Sequence, residues 1–413
     1  MGTSSNTPTL SITTTFAAFR HRNYRLWFIG QVVSLVGTWM QSAAQGYLVY
    51  TLTGSSAFLG YVGFATGLPS LLLMMYGGVV ADRVSRRTLM MITQSVMMLL
   101  AFTLAGLVFL DIVRPWHILV LAFLLGVVNA FDTPARQSFV VELVERTDLT
   151  NAIALNATMF NIGAIIGPAA AGVIYALTGP AWCFTINGVS FIALLIALGL
   201  MKIKPLPVRN SQSSARHAIG EGIQYIRSKK LVKTLVITVF VITVFGFGLV
   251  TLVPAWAVEV LHGDATTNGL LFSARGVGAV IGGLTIASLS SRQFRGKMWS
   301  MSSLVLPLAI AIFALSTWLP LSLAIMSVMG ISMISILNNS NAMIQSWVPD
   351  ELRGRVMGIY SLMFMGGTPI GSLLMGQVAE HTSEQTAAFI SAGCLLAYAV
   401  WIFIRRPEMR RMG

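Results

Sequence analysis

The sequence predicts an all-α membrane protein of twelve transmembrane helices in two six-helix bundles, on three observations: its composition, its uncharged runs and the placement of its basic residues. Of 413 residues, 55% are hydrophobic and 10% charged, with a mean hydropathy of +0.77. A soluble domain of this size does not carry so little charge, so lipid is the expected solvent. Within lipid every backbone amide must be paired internally, which leaves helices or a closed barrel. Uncharged stretches run through 26–80, 88–110, 115–131, 149–201, 234–258, 298–349, 356–379 and 385–404 without the period-two alternation of a barrel.

A span takes roughly 20 residues. The three longest runs must therefore each hold two helices, broken at Thr53-Gly54-Ser55-Ser56, Thr178-Gly179-Pro180 and Leu319-Pro320. That gives eleven, and 265–290, apolar apart from Arg275, gives the twelfth. With the N-terminus inside, all but Arg114 and Arg275 of the 27 Lys and Arg fall on cytoplasmic segments, which predicts that both termini are cytoplasmic. The net charge of +13 is spread over membrane-flanking loops and forms no single basic face, which argues against a nucleic-acid partner. Cys183 and Cys394 sit inside spans without metal-ligand spacing and read as packing residues. The first apolar run is too long for a signal sequence and lacks a cleavage site, so it is expected to stay in the mature chain.

The predicted units are a cytoplasmic tail (1–22), an N-terminal six-helix bundle (23–201), a cytoplasmic linker (202–232), a C-terminal bundle (233–404) and a second tail (405–413). Traces of a repeat support the division. Asp82-Arg83 with Arg86 recurs after the eighth span as Ser291-Arg292 with Arg295, the acid being lost. Gln137 before Glu142-Leu143 is answered by Gln345 before Glu351-Leu352. The fifth span of each half carries a proline, Pro168 or Pro369.

Three groups of residues stand out. Asp82 ends the second span, where a carboxylate can accept from the N-terminal amides of a neighbouring helix. Arg86 and Asp132 extend such a latch, and Asp132 stands one turn before Arg136; the alternative is a membrane-edge charge pair that only fixes topology. Gly163, Gly167 and Ala170 or Ala171 form a small-residue stripe, and Gly278 with Gly282 forms another. These either slide against each other between the halves, with Pro168 permitting a bend, or pack statically. Gln31, Ser34, Thr38, Gln41 and Gln45 share one face of the first span, and Asn338, Asn341 and Gln345 one face of the tenth. Such faces must meet protein or a wet cavity. The aromatic residues Phe240, Phe245, Phe247 and Trp256 of the seventh span either line that cavity or pack. Arg275 either attracts an anionic substrate group or pairs with Glu259 or Glu380.

Gly78-Val79-Val80-Ala81-Asp82-Arg83-Val84-Ser85-Arg86-Arg87 resembles the signature between the second and third helices of the major facilitator superfamily, departing from it at Val80 and Ser85. Gly163-x-x-x-Gly167-Pro168-x-x-x-Gly172 is similar to the motif that marks exporters of that superfamily. Phe19-Arg20-His21-Arg22-Asn23-Tyr24-Arg25-Leu26-Trp27, Gly37-Thr38-Trp39-Met40-Gln41 and Phe131-Asp132-x-Pro134-Ala135-Arg136-Gln137 resemble the branch holding the enterobactin exporter and macrolide efflux proteins. The resemblance implies the major facilitator fold and a central cavity lined by the first, fourth, seventh and tenth helices. It implies a latch in which Gly78, Asp82, Arg83, Arg86 and Arg87 close against the eleventh helix. It also implies proton antiport by alternating access in a bacterial cytoplasmic membrane.

No nucleotide-binding loop is present, since Gly296-Lys297 lacks the upstream glycine, and no acid, base and nucleophile appear at workable spacing. The expected function is secondary active export of small amphiphilic, drug- or siderophore-like molecules by a non-enzyme that needs no cofactor and acts as a monomer. Its partners are the substrate, protons and the bilayer. The alternatives are an importer or lipid-moving protein of the same fold, and a membrane-embedded sensor or scaffold.

Overall fold

The computed structural model describes residues 16–203, 215–288, 292–406 and 408–411. Residues 1–15 of the tail, Lys204 and Arg209 of the linker, Ser291, and residues 407, 412 and 413 lie outside the described residues. The predicted fold class holds. Twelve long helices run antiparallel in succession among the described residues: α1 (Arg22–Thr53), α2 (Ser56–Arg83), α3 (Arg86–Phe109), α4 (Pro115–Phe139), α5 (Leu149–Thr178), α6 (Pro180–Leu200), α7 (Lys230–Val260), α8 (Ala265–Ser288), α9 (Arg292–Leu315), α10 (Leu319–Trp347), α11 (Asp350–His381) and α12 (Glu384–Arg405). From α2 onward, each carries a segment long and apolar enough to cross a membrane. α1 has 32 residues but is diluted by its glutamines, serines and threonines.

Local chemistry sets the ends. Gly54 stops α1 in the left-handed region at φ +60, and the next residue, Ser55, caps α2 by accepting from the Phe58 amide. Ser85 and Ser383 cap α3 and α12 in the same way. Gly179, at φ +89, parts α5 from α6, which Pro180 begins. The break foreseen at Leu319-Pro320 lies slightly earlier, at residues 316–318, because Pro320 is tolerated in the first turn of α10. α7 departs further from expectation. Two π-helical turns, Thr243–Phe247 and Trp256–Val260, and a break at Thr251 and Leu252 interrupt it, so its backbone is irregular where a plain span was expected.

In the first half α1 packs on α5 and α6, α2 on α4, and α3 on α4 and α6; in the second, α8 packs on α10, α9 on α10 and α12, and α7 on α11. Lipid gives apolar side chains no reason to prefer each other, so close backbone approach must hold these pairs. Glycines provide it. A Cβ on Gly77 of α2 would strike the Ala130 carbonyl of α4, and one on Gly371 of α11 would strike Val244 of α7. Between the halves lie two long seams, α2 on α11 and α5 on α8. A linker helix, Ala215–Ser228, is fastened to α11 by the Glu221–Arg355 ion pair and by Gly222, which leaves room for Ile359.

Candidate functional site

Antiparallel order places the start of α1, the end of α12, the linker helix and the turns around Ser85, Leu143 and Pro349 at one end, called here the basic end; Gly54, Gly179, His262 and Thr382 turn at the opposite end. The described hydrogen bonds between the halves begin at the opposite end and stop near mid-membrane. Tyr50 donates to Glu259 at 2.8 Å. Ser55 Oγ and the Ala57 amide donate to Glu380 at 2.8 and 3.0 Å, and Ser56 Oγ donates to Glu384 at 2.7 Å. Deeper, Asn268 of α8 donates to the Ala43 carbonyl of α1, and Ser273 to the Ile165 carbonyl of α5.

Glycines make these seams possible. A Cβ on Gly172 of α5 would lie 2.8 Å from Thr266 Cα of α8; one on Gly276 would lie 2.7 Å from the Ala164 carbonyl, and one on Gly269 would strike the Pro168 carbonyl. On the other seam, Gly60 and Gly63 of α2 meet Ser372 of α11, and Gly67 meets the Pro369 ring. Of the two readings of the Gly163–Gly167 and Gly278–Gly282 stripes, contact between the halves or static packing, these four glycines take the second. Gly163 and Gly167 receive Leu35, Val36, Trp39 and Met40 of α1, whereas Gly278 and Gly282 receive Ser327 and Ile331 of α10. Both stripes pack inside their own halves, and of that set only Gly172, with Pro168 beside it, touches the other half. Small-residue spacing in Gly60, Gly63 and Gly67 carried the missed signal.

At the basic end the latch residues do not reach α11. The Asp82 side chain is 54% exposed and stands 3.9 Å from Arg86; no hydrogen bond to α11 is described for it. Arg86 instead pairs with Glu142 at 2.7 Å, a partner the sequence reading missed. Arg87 donates to the Gly199 carbonyl, Arg83 is exposed, and Gly78 has open space where a Cβ would be. Asp132 belongs to none of this. It is buried on α4, accepts from Thr93 Oγ1 at 2.7 Å and Gln94 Nε2 at 2.9 Å on α3, and has Arg136 Nε at 3.8 Å. The structure thus separates Asp132 and Arg136 from Arg86, which the sequence reading had joined.

The two polar faces have different fates. Asn338 and Gln345 are exposed and Asn341 half-buried; with Ala342 and Ser346 they line a cavity of about 600 Å³ at the basic end of α10. The α1 stripe is divided. Gln41 accepts from Asn187 of α6 at 2.7 Å, Gln31 and Ser34 are buried, and Thr38 donates to its own helix at Ser34. Gln45 is half-buried. The buried amide of Asn187 turns part of that face into a contact within the bundle. The α7 aromatics pack: Trp256 stacks on Phe313 at 4.3 Å, and Phe247 meets Phe364 edge-on. In this conformation a cysteine at Asn338 is expected to react readily with a membrane-impermeant maleimide. Native Cys183 is buried but Cys394 is exposed on α12, so mass spectrometry after labelling is read in a Cys394→Ser background.

Two helical bundles joined along the α2–α11 and α5–α8 seams, hydrogen-bonded to each other at the end opposite the basic loops and carrying an open polar face on α10, have the architecture of a membrane transporter of the major facilitator type. The chain belongs to the transmembrane secretion effector family of that superfamily, whose profile matches residues 13–412. It is 26% identical over 386 residues to the staphyloferrin A transporter of Staphylococcus aureus (strain NCTC 8325 / PS 47), covering 92% of this chain and 96% of that one. It is likewise 26% identical over 398 residues to the enterobactin exporter EntS of Citrobacter koseri, covering 95% and 93%. Among solved structures, a mutant of the nucleoside transporter NupG superposes with a TM-score of 0.74 at 17% identity, covering 93% of this chain and 100% of that one.

Proposed function

We propose that this transporter exports small amphiphilic, siderophore- or drug-like molecules by proton-coupled alternating access. The observation that carries the reading is the open polar face of α10 toward the basic end, while the described carboxylate hydrogen bonds between the halves lie at the opposite end. By the positive-inside rule the basic end is cytoplasmic, so both termini face the cytoplasm of a bacterial inner membrane and the cavity stands open to its load. The names of the staphyloferrin A and enterobactin relatives support a siderophore-like cargo. The chain acts as a monomeric carrier and not as an enzyme. Residues 23–201 and 233–404 are the moving units, joined by 202–232 and flanked by the tails 1–22 and 405–413. When the cytoplasmic end closes, Asp82 docks on the N-terminus of α11, with Gly78, Arg83, Arg86 and Arg87 around it. Among the described residues Asp132 is the only fully buried acid, which makes it our choice of proton carrier.

Everted vesicles with an imposed acidic lumen test the direction and the coupling together. Catecholate, hydroxycarboxylate and cationic compounds are offered outside, with a pH dye inside. Accumulation with matching proton efflux, lost in Asp132→Asn, is the expected result. Accumulation in right-side-out vesicles instead would make the protein an importer, and a flux indifferent to the pH gradient would remove proton coupling.

A further inference from the structure

Arg275 lies ten residues into α8 from Ala265, which at about 1.5 Å per residue is roughly 15 Å deep, near the middle of a hydrocarbon core of about 30 Å. Its direction follows from its neighbours. Leu270, Val277, Ile281 and Leu284 are exposed and form the lipid face. Gly269, Ser273 and Gly276 face α5; Gly278 and the Ala274 carbonyl face α10. Arg275 stands on the remaining side, below Asn268, whose amide reaches Ala43 of α1. That side looks toward the axis between the two halves, just beneath the sealed end.

Among the described residues the charge there has no counterion. Arg275 takes part in no described ion pair or hydrogen bond, and its Nε is buried without a partner. Both acids that the sequence offered are engaged elsewhere, Glu259 by Tyr50 and Glu380 by Ser55 and Ala57. Asp132 is held inside the other half by Thr93 and Gln94. A guanidinium stays charged and offers five donors in a planar fork. Leaving it unpaired at mid-membrane is unfavourable for the empty protein, and such a residue commonly marks a substrate path. Asn268 Oδ1, two turns nearer the sealed end on the same side, is also buried without a partner. On α10, the Arg275 backbone lies against Gly330, eight residues, or about 12 Å, from Asn338. A molecule of moderate size spans that interval.

We infer that Arg275 is the anion subsite of the transport cavity: it receives a carboxylate or comparable oxyanion of the cargo, whose remainder extends toward Asn338, Asn341 and Gln345. The inference rests on the reading of that cavity as the transport site, and it narrows the cargo to molecules bearing a negative group. Loading then supplies the counterion that the empty protein lacks.

The test uses full-length protein in nanodiscs and three matched pairs of probes: citrate, benzoate and 2,3-dihydroxybenzoate, each beside its amide. Ligand-free melting comes first. Arg275→Met and Arg275→Gln are expected to melt at or above the wild-type temperature, because an uncompensated charge has been removed; a drop of several degrees would show a structural pair and overturn the inference. Next, at least one acid is expected to raise the wild-type melting temperature and slow alkylation of a cysteine at Asn338. Its amide is not. The apparent affinity is expected to fall about tenfold or more in Arg275→Gln and to be partly restored in Arg275→Lys. Equal action of acids and amides, no action by any acid, or acid binding untouched by Arg275→Gln would each overturn it. Transport in vesicles is scored separately. Arg275-dependent binding without any flux would refute the transport reading alone, and flux of a neutral compound through Arg275→Gln without acid binding would refute the anion subsite alone.

Discussion

Gly269→Leu is expected to stop transport while leaving the protein folded. A Cβ at this position runs into the Pro168 carbonyl and lies 3.1 Å from Gly172. Both obstacles are backbone, so no rotamer change relieves them, and α5 and α8 must part. Overpacking of this kind costs about 1–3 kcal/mol, and each 1.4 kcal/mol is about tenfold in population. The state sealed at the end opposite the basic loops therefore becomes roughly ten to a hundred times rarer. Alkylation of a cysteine at Asn338 should slow accordingly, and cargo flux should fall with it. The control is one helical face away. Gly278→Leu strikes the Ser327 carbonyl of α10 inside the same bundle, where no alternative state offers relief. At about 2–4 °C per kcal/mol, that variant should melt about 5–10 °C lower, whereas Gly269→Leu should shift by less than about 3 °C. Equal melting losses in the two variants would mean that the seam between the halves is not a separable contact.

Asp132→Ala should be the more damaging of the carboxylate deletions. It strips an acceptor from Thr93 and Gln94, both themselves buried, and takes from Arg136 its one described ion-pair partner. Removing one member of a buried charged network costs about 3–5 kcal/mol, so a fall of about 6–20 °C in melting temperature is expected. Asp82→Ala provides the contrast. Its carboxylate is more than half exposed and 3.9 Å from Arg86, so less than about 1 kcal/mol should be lost. Comparable destabilisation by the two alanine variants would contradict the separation of Asp132 from the surface charges. Asp132→Asn keeps an oxygen for Thr93 and Gln94 and is the variant suited to flux measurements.

These cases mark where the sequence is informative. Helix ends at Gly54, Ser85, Gly179 and Ser383 are legible because a single residue's own conformational preference or side chain makes the end. Asn338, Asn341 and Gln345 are legible as one open polar face because α10 carries them within two turns. Farther apart, the same logic weakens. Gln31 to Gln45 spans four turns, and the buried amide of Asn187, nearly 150 residues away, captures Gln41. Glycine spacing announces a close approach without naming the helix that approaches. Gly163 and Gly278 therefore read like Gly172 and Gly269, though one pair stays within its bundles and the other joins them. The latch is illegible for another reason: in the structure Asp82 is exposed and faces Arg86, and a docking on α11 belongs to the closed state proposed above. In α7 the π turns leave little trace beyond Pro254.

The carboxylate bonds of the seal at the end opposite the basic loops all run one way, although Asn268, Ser273 and Gln377 of the second half donate in the other direction. Tyr50, Ser55, Ser56 and the Ala57 amide all come from the first half, while Glu259, Glu380 and Glu384 all come from the second. Two second halves brought face to face would oppose carboxylates to carboxylates, which repel. Each half is thus built to recognise its counterpart and to refuse its own duplicate, a plug-and-socket rule that guards a chain of two similar bundles against pairing with the wrong bundle of a neighbouring copy.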